Sequence, residues 1–244
     1  MDISLCLMDL KQDNMPISEV YNCDCIEFMK TLPDKFFDLA IIDVPYGIGE
    51  DGSKNKTRTS LAKSKDYKGY IGNDLNSPIK KYWDELFRIS KDQIIWGANH
   101  FISKIPFDSS CWVVWDKDNG NNDFADCELA WTSFKTAIRK YKYKWHGMLQ
   151  ENMSQKEHRI HPNQKPIALY SWLLTNYAKL NNKIFDSHMG SQSSRIAAYK
   201  MGFDYWGCEL DEDYFRDGCA RFEKECHGKI VTSDGIEITQ QKLF

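Results

Sequence analysis

A short motif from Asp43 to Tyr46 (DVPY) directly follows the apolar run at residues 39–42. The run predicts a strand, so the motif stands at a strand's carboxyl end, where open α/β sheets bind their ligands. The Asp43 carboxylate and the Val44 carbonyl can accept the two protons of an exocyclic amine such as that of adenine, whose lone pair is otherwise delocalised into the ring. Pro45 keeps Val44 extended, and Tyr46 offers a face for a stacked base, worth about 1–3 kcal/mol. Alone, the tetrapeptide is more typical of a turn that ends a strand.

A second polar segment, residues 185–194 (FDSHMGSQSS), follows a predicted strand and opens a predicted helix. Gly190 would let the backbone approach a ligand closely, although one glycine is a weak fingerprint. About twenty residues later, Glu209 ends the next predicted strand, where an acid is suited to bind the ribose hydroxyls of an adenosyl cofactor. The two segments together favour a nucleotide-like ligand.

The elements that must position these residues follow from hydrophobic patterning. Predicted strands lie at residues 39–42, 93–96, 111–115, 183–185 and 204–208, and predicted helices at residues 77–89, 166–179, 193–201 and 211–225. Strands that alternate with helices predict an α/β fold with a mostly parallel, doubly wound sheet covered on both faces. A length of 244 residues with 42% hydrophobic content fits a single domain, residues 1–244.

Composition excludes several function classes. The apolar runs are far shorter than the roughly 20 residues of a membrane helix, and the acids Asp2, Asp9 and Asp13 disfavour a signal peptide. We therefore expect a soluble, cytoplasmic protein without a membrane partner. Of the eight cysteines, Cys23 and Cys25 alone are close in sequence, so neither a disulfide framework nor a metal site is predicted. The net charge of −3 means that nucleic-acid binding must depend on local basic patches.

The first basic segment is a long polar stretch at residues 47–72. Its length without apolar periodicity is typical of a functional loop, but a solvated connector explains it equally well. If the loop is functional, Lys54, Lys56 and Arg58 are the residues that we expect to contact DNA phosphates.

The second basic segment is residues 135–145, in which lysine alternates with aromatic residues from Lys140 to Trp145. In a strand the lysines would share one face and the aromatic side chains the other. This pattern is most often an edge strand protected by lysines. It would also suit phosphate contacts from Lys142 and Lys144, backed by a packed aromatic face.

These segments together resemble the β-type DNA amino-methyltransferases of restriction–modification systems and phages. In that family a D-P-P-Y motif comes first, a target-recognition region follows, and a cofactor loop F-x-G-x-G comes late. Residues 22–46 resemble the block that leads into D-P-P-Y, residues 161–166 (HPNQKP) resemble its H-P-T-Q-K-P signature, and residues 186–198 and 207–214 resemble the cofactor loop, helix and ribose acid.

The resemblance implies a Rossmann-like fold that uses S-adenosyl-L-methionine to methylate the exocyclic N6 of adenine after base flipping in double-stranded DNA. Cytosine N4 methylation is the alternative within this family, which more often has serine at the position of Asp43 when the target is cytosine. Gln192 stands in place of the family's second glycine, so a DNA-binding pseudoenzyme with a blocked cofactor loop is a further alternative. A more remote one is methylation of a protein or an RNA.

The resemblance also assigns residues. It implies that Asp24, beside Cys25, contacts the adenine of the cofactor, that Glu209 contacts the ribose, and that Lys165 supports the same pocket. The turn expected to bind the methionine part of the cofactor contributes Asp186, Ser187, His188, Gly190 and Ser191.

The middle of the chain is expected to select the DNA target. Residues 97–160 are predicted to hold a target-recognition region inserted within the single domain. The sequence leaves open a homodimer, a cognate restriction endonuclease and the recognised DNA sequence.

Overall fold

A computed structural model of the chain describes residues 15–48, 77–120, 125–146, 149–231 and 237–239. The strands are β1 (Ser18–Asn22), β2 (Phe37–Ile42), β3 (Ser90–Trp96), β4 (Trp112–Asp116), β5 (Cys127–Thr132), β6 (Arg139–Lys142), β7 (Trp145–His146), β8 (Leu149–Gln150), β9 (Lys183–Asp186), β10 (Asp204–Glu209), β11 (Lys229–Val231) and β12 (Glu237–Thr239). The α-helices are α1 (Cys25–Lys30), α2 (Lys80–Ile89), α3 (Ile167–Tyr177), α4 (Ser193–Lys200) and α5 (Glu212–His227).

Eight strands form one sheet in the order β1-β10-β9-β2-β3-β5-β4-β6. The first five strands in this order pair in parallel. β5 runs antiparallel to both of its neighbours, and β4 pairs with β6 in parallel. The prediction of a mostly parallel α/β sheet is therefore confirmed, with one reversed strand that sequence patterning did not indicate.

The central strand β2 shows why the sheet is covered on both faces. Its side chains alternate between two apolar layers, with Leu39 and Ile41 on one face and Ala40 and Ile42 on the other. Helices α1 and α2 pack on the Ala40 side, and α3 and α4 pack on the Leu39 side. The sheet is therefore doubly wound. Because β2 is buried on both faces, its sequence is a continuous apolar run.

Each of the predicted elements is present with its ends shifted by a few residues, whereas three elements around the main sheet were missed. β1 reads SEVYN and is largely exposed at the sheet edge, so it carries no apolar run to detect. The short helix α1 and the reversed strand β5 were also missed. Backbone pairing and packing with distant strands define these elements more than local propensity does.

The range 97–160 contributes three strands, β4, β5 and β6, to the main sheet. The small hairpin of β7 and β8 follows them and pairs separately. The assignment of this range to target recognition stays a prediction. Within the described residues, no helix combines the length and the apolar character that spanning a bilayer requires.

Candidate active site

The parallel strands bring the predicted site residues to one edge of the sheet. Because parallel strands end on the same side, the residues at their carboxyl ends form a row. In the order β1, β10, β9, β2 and β3, these residues are Asp24, Glu209, Asp186, Asp43 and Gly97. Two motifs that are about 140 residues apart in sequence thus meet through the pairing of β2 with β9.

Asp43 is held by side chains at both of its carboxylate oxygens. The Tyr46 hydroxyl donates a hydrogen bond of 2.8 Å to Oδ1, and Lys165 Nζ lies 2.6 Å from Oδ2. Burial raises the pKa of the Asp43 carboxyl above its ordinary value, and the charge of Lys165 limits that rise. The adjacent ammonium therefore favours the ionised, acceptor form of this buried acid.

Lys165 lies in a cluster of charges with only 5% of its side chain exposed. Besides Asp43, its Nζ donates to the Tyr46 hydroxyl at 3.2 Å and lies 3.0 Å from Glu128 Oε2, an ion-pair distance without hydrogen-bond direction. Burial lowers the pKa of Lys165, but the two carboxylates outweigh it and raise the pKa. Lys165, which the resemblance assigned to the cofactor pocket, thus contacts the carboxylate of the DVPY motif as an ammonium.

Tyr46 lies against a glycine that has no space for a side chain. Gly97 has a φ of +67°, and a Cβ atom there would stand 2.1 Å from Tyr46 Cε1. On the Tyr46 ring, the exposed His100 stacks with a centroid separation of 5.2 Å and an interplanar angle of 16°. The Tyr46 ring is therefore fixed by Gly97 and Asp43 and covered by a side chain that solvent can reach.

The acids at the predicted cofactor turn are held by backbone amides. Glu209 accepts the Gly190 N–H at Oε2 and the Asp211 N–H at Oε1, each at 2.9 Å. Asp186 accepts the His188 N–H at 3.0 Å and the Ser194 hydroxyl at 2.6 Å. Burial raises the pKa of Asp186 to about 7, against the effect of these hydrogen bonds.

Asp24 and Cys25 stand at the start of α1. Asp24 caps this helix, because its Oδ1 accepts the Ile26 N–H at 2.7 Å. Burial raises the pKa of the Cys25 thiol to about 12, so this residue is a neutral thiol. His188, in the predicted cofactor turn, is also neutral near pH 7, since burial lowers the pKa of its imidazole to about 4. The His188 Nδ1 shares a hydrogen bond of 2.8 Å with the Ser187 hydroxyl.

Gln192 occupies a left-handed conformation with a φ of 59°. Its side chain is fully buried, with Oε1 accepting from Arg195 at 2.8 Å and Nε2 donating to the Phe215 carbonyl at 3.3 Å. A Cβ on Gly218 would stand 2.7 Å from Gln192 Nε2, so the side chain is enclosed by α5. The substitution of glycine by Gln192 is thus accommodated in the packing of α4 against α5.

An adenosyl cofactor fits the groups at this edge. Asn22 and Glu209 are register partners on adjacent strands, so the carboxylates of Asp24 and Glu209 follow neighbouring strand ends. Each Glu209 oxygen accepts one of the backbone N–H bonds described above, which leaves lone pairs for hydroxyl donors. The carbonyl of Ser191 is held by Arg221 at 2.7 Å, which fixes the turn.

Of the two basic segments predicted to contact DNA, the structure describes the second. Lys142 and Lys144 have 58% and 39% of their side chains exposed and pair with Asp118 at 2.9 and 3.1 Å. Tyr141 stacks on Trp172 with a centroid separation of 5.1 Å, so the predicted division into a lysine face and an aromatic face is confirmed. The predicted DNA contacts Lys54, Lys56 and Arg58 lie outside the described residues.

Three residues of the site were not predicted from sequence: Lys117, Glu128 and Gly97. Glu128 sits on β5 and pairs with Lys117 through Oε1 and with Lys165 through Oε2. Burial would raise the pKa of Glu128, but Lys165 and Lys117 together lower it to about 2. Glu128 is the one charged residue of β5, but the sequence does not show which residues that charge contacts.

Comparison with known proteins shows which family the chain is similar to. A model of the DNA methylases of the N6/N4 type matches residues 115–219, which include Lys165, Asp186 and Glu209. Over this segment the chain is similar to the N6/N4 DNA methyltransferases. S-adenosyl-L-methionine is the cofactor of this family, as the resemblance implied.

The chain is also similar to a curated enzyme and to solved structures. It is 24% identical to the type II methyltransferase M.HinfI of Haemophilus influenzae over 81% of the chain, and it spans 66% of the length of that enzyme. The fold matches TTHA0409 of Thermus thermophilus, assigned as a DNA modification methylase and solved with S-adenosyl-L-methionine, with a TM-score of 0.55, 16% identity and coverage of 87% and 97% of the two chains. It also matches the cytosine-N4-specific PvuII DNA methyltransferase, with a TM-score of 0.52, 11% identity and coverage of 85% and 87%.

Proposed function

We propose that this protein transfers a methyl group from S-adenosyl-L-methionine to the exocyclic N6 of adenine in double-stranded DNA. The observation that carries the proposal is the position of Asp43. Its carboxylate lies beside a buried ammonium, 2.6 Å away, at the same sheet edge as the acids suited to an adenosyl cofactor. Bound through Asp24, Glu209 and the turn at residues 186–191, S-adenosyl-L-methionine supplies an electrophilic methyl group.

The residues of the chain activate the amine. One N–H of the extruded base donates to the Asp43 carboxylate and the other to the Val44 carbonyl, which localises the nitrogen lone pair. The nitrogen would gain the methyl group as the bond between that methyl and the cofactor sulfur breaks, and the proton that the nitrogen loses would pass through the Asp43 carboxylate to solvent. A base amine is unreachable inside the duplex, so the nucleotide must first leave the stack, at a cost of a few kcal/mol.

Tyr46 is the stacking surface in this proposal. Since His100 covers the ring from the solvent side, an incoming base replaces His100. A base–aromatic stack of this kind is worth about 1–3 kcal/mol, which offsets part of the cost of extrusion. His100 is exposed and can move aside without disturbing the core.

Cytosine N4 is the second candidate target. Its support is the structural match to a cytosine-N4-specific enzyme, and an amine conjugated to a pyrimidine needs the same two acceptors. The aspartate at position 43, rather than the serine more often found in the cytosine enzymes that this chain resembles, favours adenine.

The test is transfer of a labelled methyl group from S-adenosyl-L-methionine to long duplex DNA from a host without amino-methylation. Long DNA offers every short recognition sequence to the enzyme. We expect label in the duplex and none in RNA or in protein. Binding of the cofactor without any transfer to DNA would contradict the proposal. Calorimetry that detects no cofactor binding would instead support the pseudoenzyme.

A further inference from the structure

Four charged side chains of alternating sign form a row that starts at the candidate catalytic carboxylate: Asp43, Lys165, Glu128 and Lys117. Lys165 Nζ stands 2.6 Å from Asp43 and 3.0 Å from Glu128, and Glu128 pairs in turn with Lys117. Each of the four side chains is less than a quarter exposed. This row of four charges is electrically neutral as a whole. Its two inner members, Lys165 and Glu128, each contact two partners of opposite charge.

We propose that Glu128 is a positioning residue that shares the Lys165 ammonium with Asp43 and thereby sets how strongly Asp43 accepts the protons of the target amine. This inference deepens the proposed function and rests on it. Glu128 does not touch the base in this account, because it acts through Lys165.

The sharing matters because Asp43 has two competing requirements. Without a cation it would protonate in this buried site and could not accept an N–H bond. If it were the sole partner of Lys165, the ammonium would satisfy one of its oxygens fully and reduce its basicity. Glu128 provides a second anion at a similar distance, so Asp43 stays ionised while remaining a strong acceptor.

Lys117 keeps Glu128 in place for this task. Its ammonium pairs with Oε1 of Glu128, and Oε2 is the oxygen nearest Lys165. Lys117 also lies over the Trp115 ring at 5.2 Å, which holds its side chain against β4. The two lysines therefore hold the Glu128 carboxylate between them.

Other groups surround Asp43 and bear on its titration. The charged and titratable side chains that face it are Lys165, Glu128, Tyr46, Tyr170 and Asp186. Beyond Lys165 lies His161, whose pKa is lowered to about 4 by burial and by Lys165, so it stays neutral near pH 7. Burial raises the pKa of Asp186 to about 7. The titration of Asp43 is therefore measured in protein that carries Asp186→Asn, so that the Asp186 carboxyl does not titrate in the same range.

The test is the carboxyl titration of Asp43, measured by NMR on protein labelled with ¹³C at aspartate and assigned by loss of the signal in Asp43→Asn. Removing the Glu128 charge with Glu128→Gln should lower the midpoint on the order of one pH unit, because a neighbouring anion is lost and Lys165 turns wholly to Asp43. Lys165→Gln should raise the midpoint by about one unit or more. An unchanged or raised midpoint in Glu128→Gln would overturn the proposal.

Glu85→Gln is the matched control. Glu85 has 20% of its side chain exposed against 22% for Glu128, and it pairs with Arg88 at 2.6 Å on α2. Its loss should leave the Asp43 midpoint unchanged. If Glu128→Gln does not fold, Glu128→Asp keeps the charge but withdraws it from Lys165, and should lower the midpoint by a smaller amount. A midpoint in Glu128→Asp equal to or above that of the unmodified chain also overturns the proposal.

Single-turnover methyl transfer gives a second readout. Because Asp43 must be ionised, Glu128→Gln should move the acid limb of the pH–rate profile to lower pH and reduce the rate at neutral pH by up to about tenfold. Affinity for S-adenosyl-L-methionine should not change. If the midpoints shift as stated while the unmodified chain transfers no methyl group to DNA, the proposed function fails and the positioning role stands. Unshifted midpoints in a chain that does methylate DNA would remove the positioning role and leave the proposed function intact.

Discussion

The two ends of the candidate site hold their carboxylates by different means. At the cofactor end, both carboxylates accept backbone N–H groups. Glu209 accepts from Gly190 in the adjoining turn and from Asp211, and Asp24 accepts from Ile26. At the catalytic end, Asp43 is held by Lys165, which lies more than a hundred residues away in sequence. Backbone amides fix an acid in one orientation, whereas a shared ammonium leaves the acid's basicity adjustable. In the proposed function, the first end therefore binds the cofactor and the second tunes the acceptor of the target amine.

The largest effect should come from removing the catalytic acceptor. Asp43→Ala should lower the rate of methyl transfer by 10²-fold or more, on the order of the loss of one preorganised stabilising group. S-adenosyl-L-methionine affinity should stay nearly intact, because the cofactor groups lie on other strands. Single-turnover rates and calorimetry measure the two quantities. Asp34→Ala, which removes an acid that is 76% exposed, is the control and should keep the rate. Near-normal transfer by Asp43→Ala would remove Asp43 from the mechanism.

The two ends also differ in how far sequence alone could predict them. Asp43, Glu209 and Gly190 follow apolar runs, and the alternation of strands and helices places strand ends at one edge, so both motifs could be located without coordinates. Glu128 and Lys117 could not, because their role exists only where β5 reverses direction and packs beside Lys165. The close approach of the Tyr46 ring to Gly97 is a tertiary contact that local patterning does not encode.

The contact between Gly97 and Tyr46 is the next test. Gly97→Ala places a Cβ where the Tyr46 ring lies, at 2.1 Å, and should displace the ring and slow methyl transfer by about 10²-fold. Gly120→Ala is a matched control, because Gly120 has the same φ of +67° and no atom of the described residues lies within 4 Å of the added Cβ. Equal losses in both variants would assign the effect to backbone strain instead of the ring contact.

The cofactor end should respond to pH through Asp186. Burial raises the pKa of this carboxyl to about 7, so it is protonated below pH 7 and ionised above it. If it binds the cationic methionine part of the cofactor, the dissociation constant should rise about tenfold between pH 7.5 and pH 6. Calorimetry across this range measures it. Asp186→Asn should bind more weakly at every pH and without this dependence. A pH dependence that persists in Asp186→Asn must come from another group.

The smallest effect is expected at Lys142, the last residue of β6, and at Lys144, which follows that strand. Replacing Lys142 and Lys144 with alanine should weaken DNA binding equally for specific and unrelated sequences. The salt dependence should flatten by up to about 0.9 log unit per lost phosphate contact. Because both lysines already pair with Asp118, part of this effect is offset in the free protein. The measurement is DNA binding at several salt concentrations. The control is Lys179→Ala, since Lys179 is an exposed lysine just after α3. An unaltered slope would leave β6 as a protected edge strand.

The central claim is that the target is the exocyclic amine of adenine. The most direct measurement is mass spectrometry of the nucleosides released from unmethylated duplex DNA after incubation with the purified protein and isotopically labelled S-adenosyl-L-methionine. The account predicts labelled N6-methyladenine, and its loss in Asp43→Ala. Labelled N4-methylcytosine without N6-methyladenine would contradict the assignment to adenine, and the absence of any labelled nucleoside would contradict methyl transfer to DNA altogether.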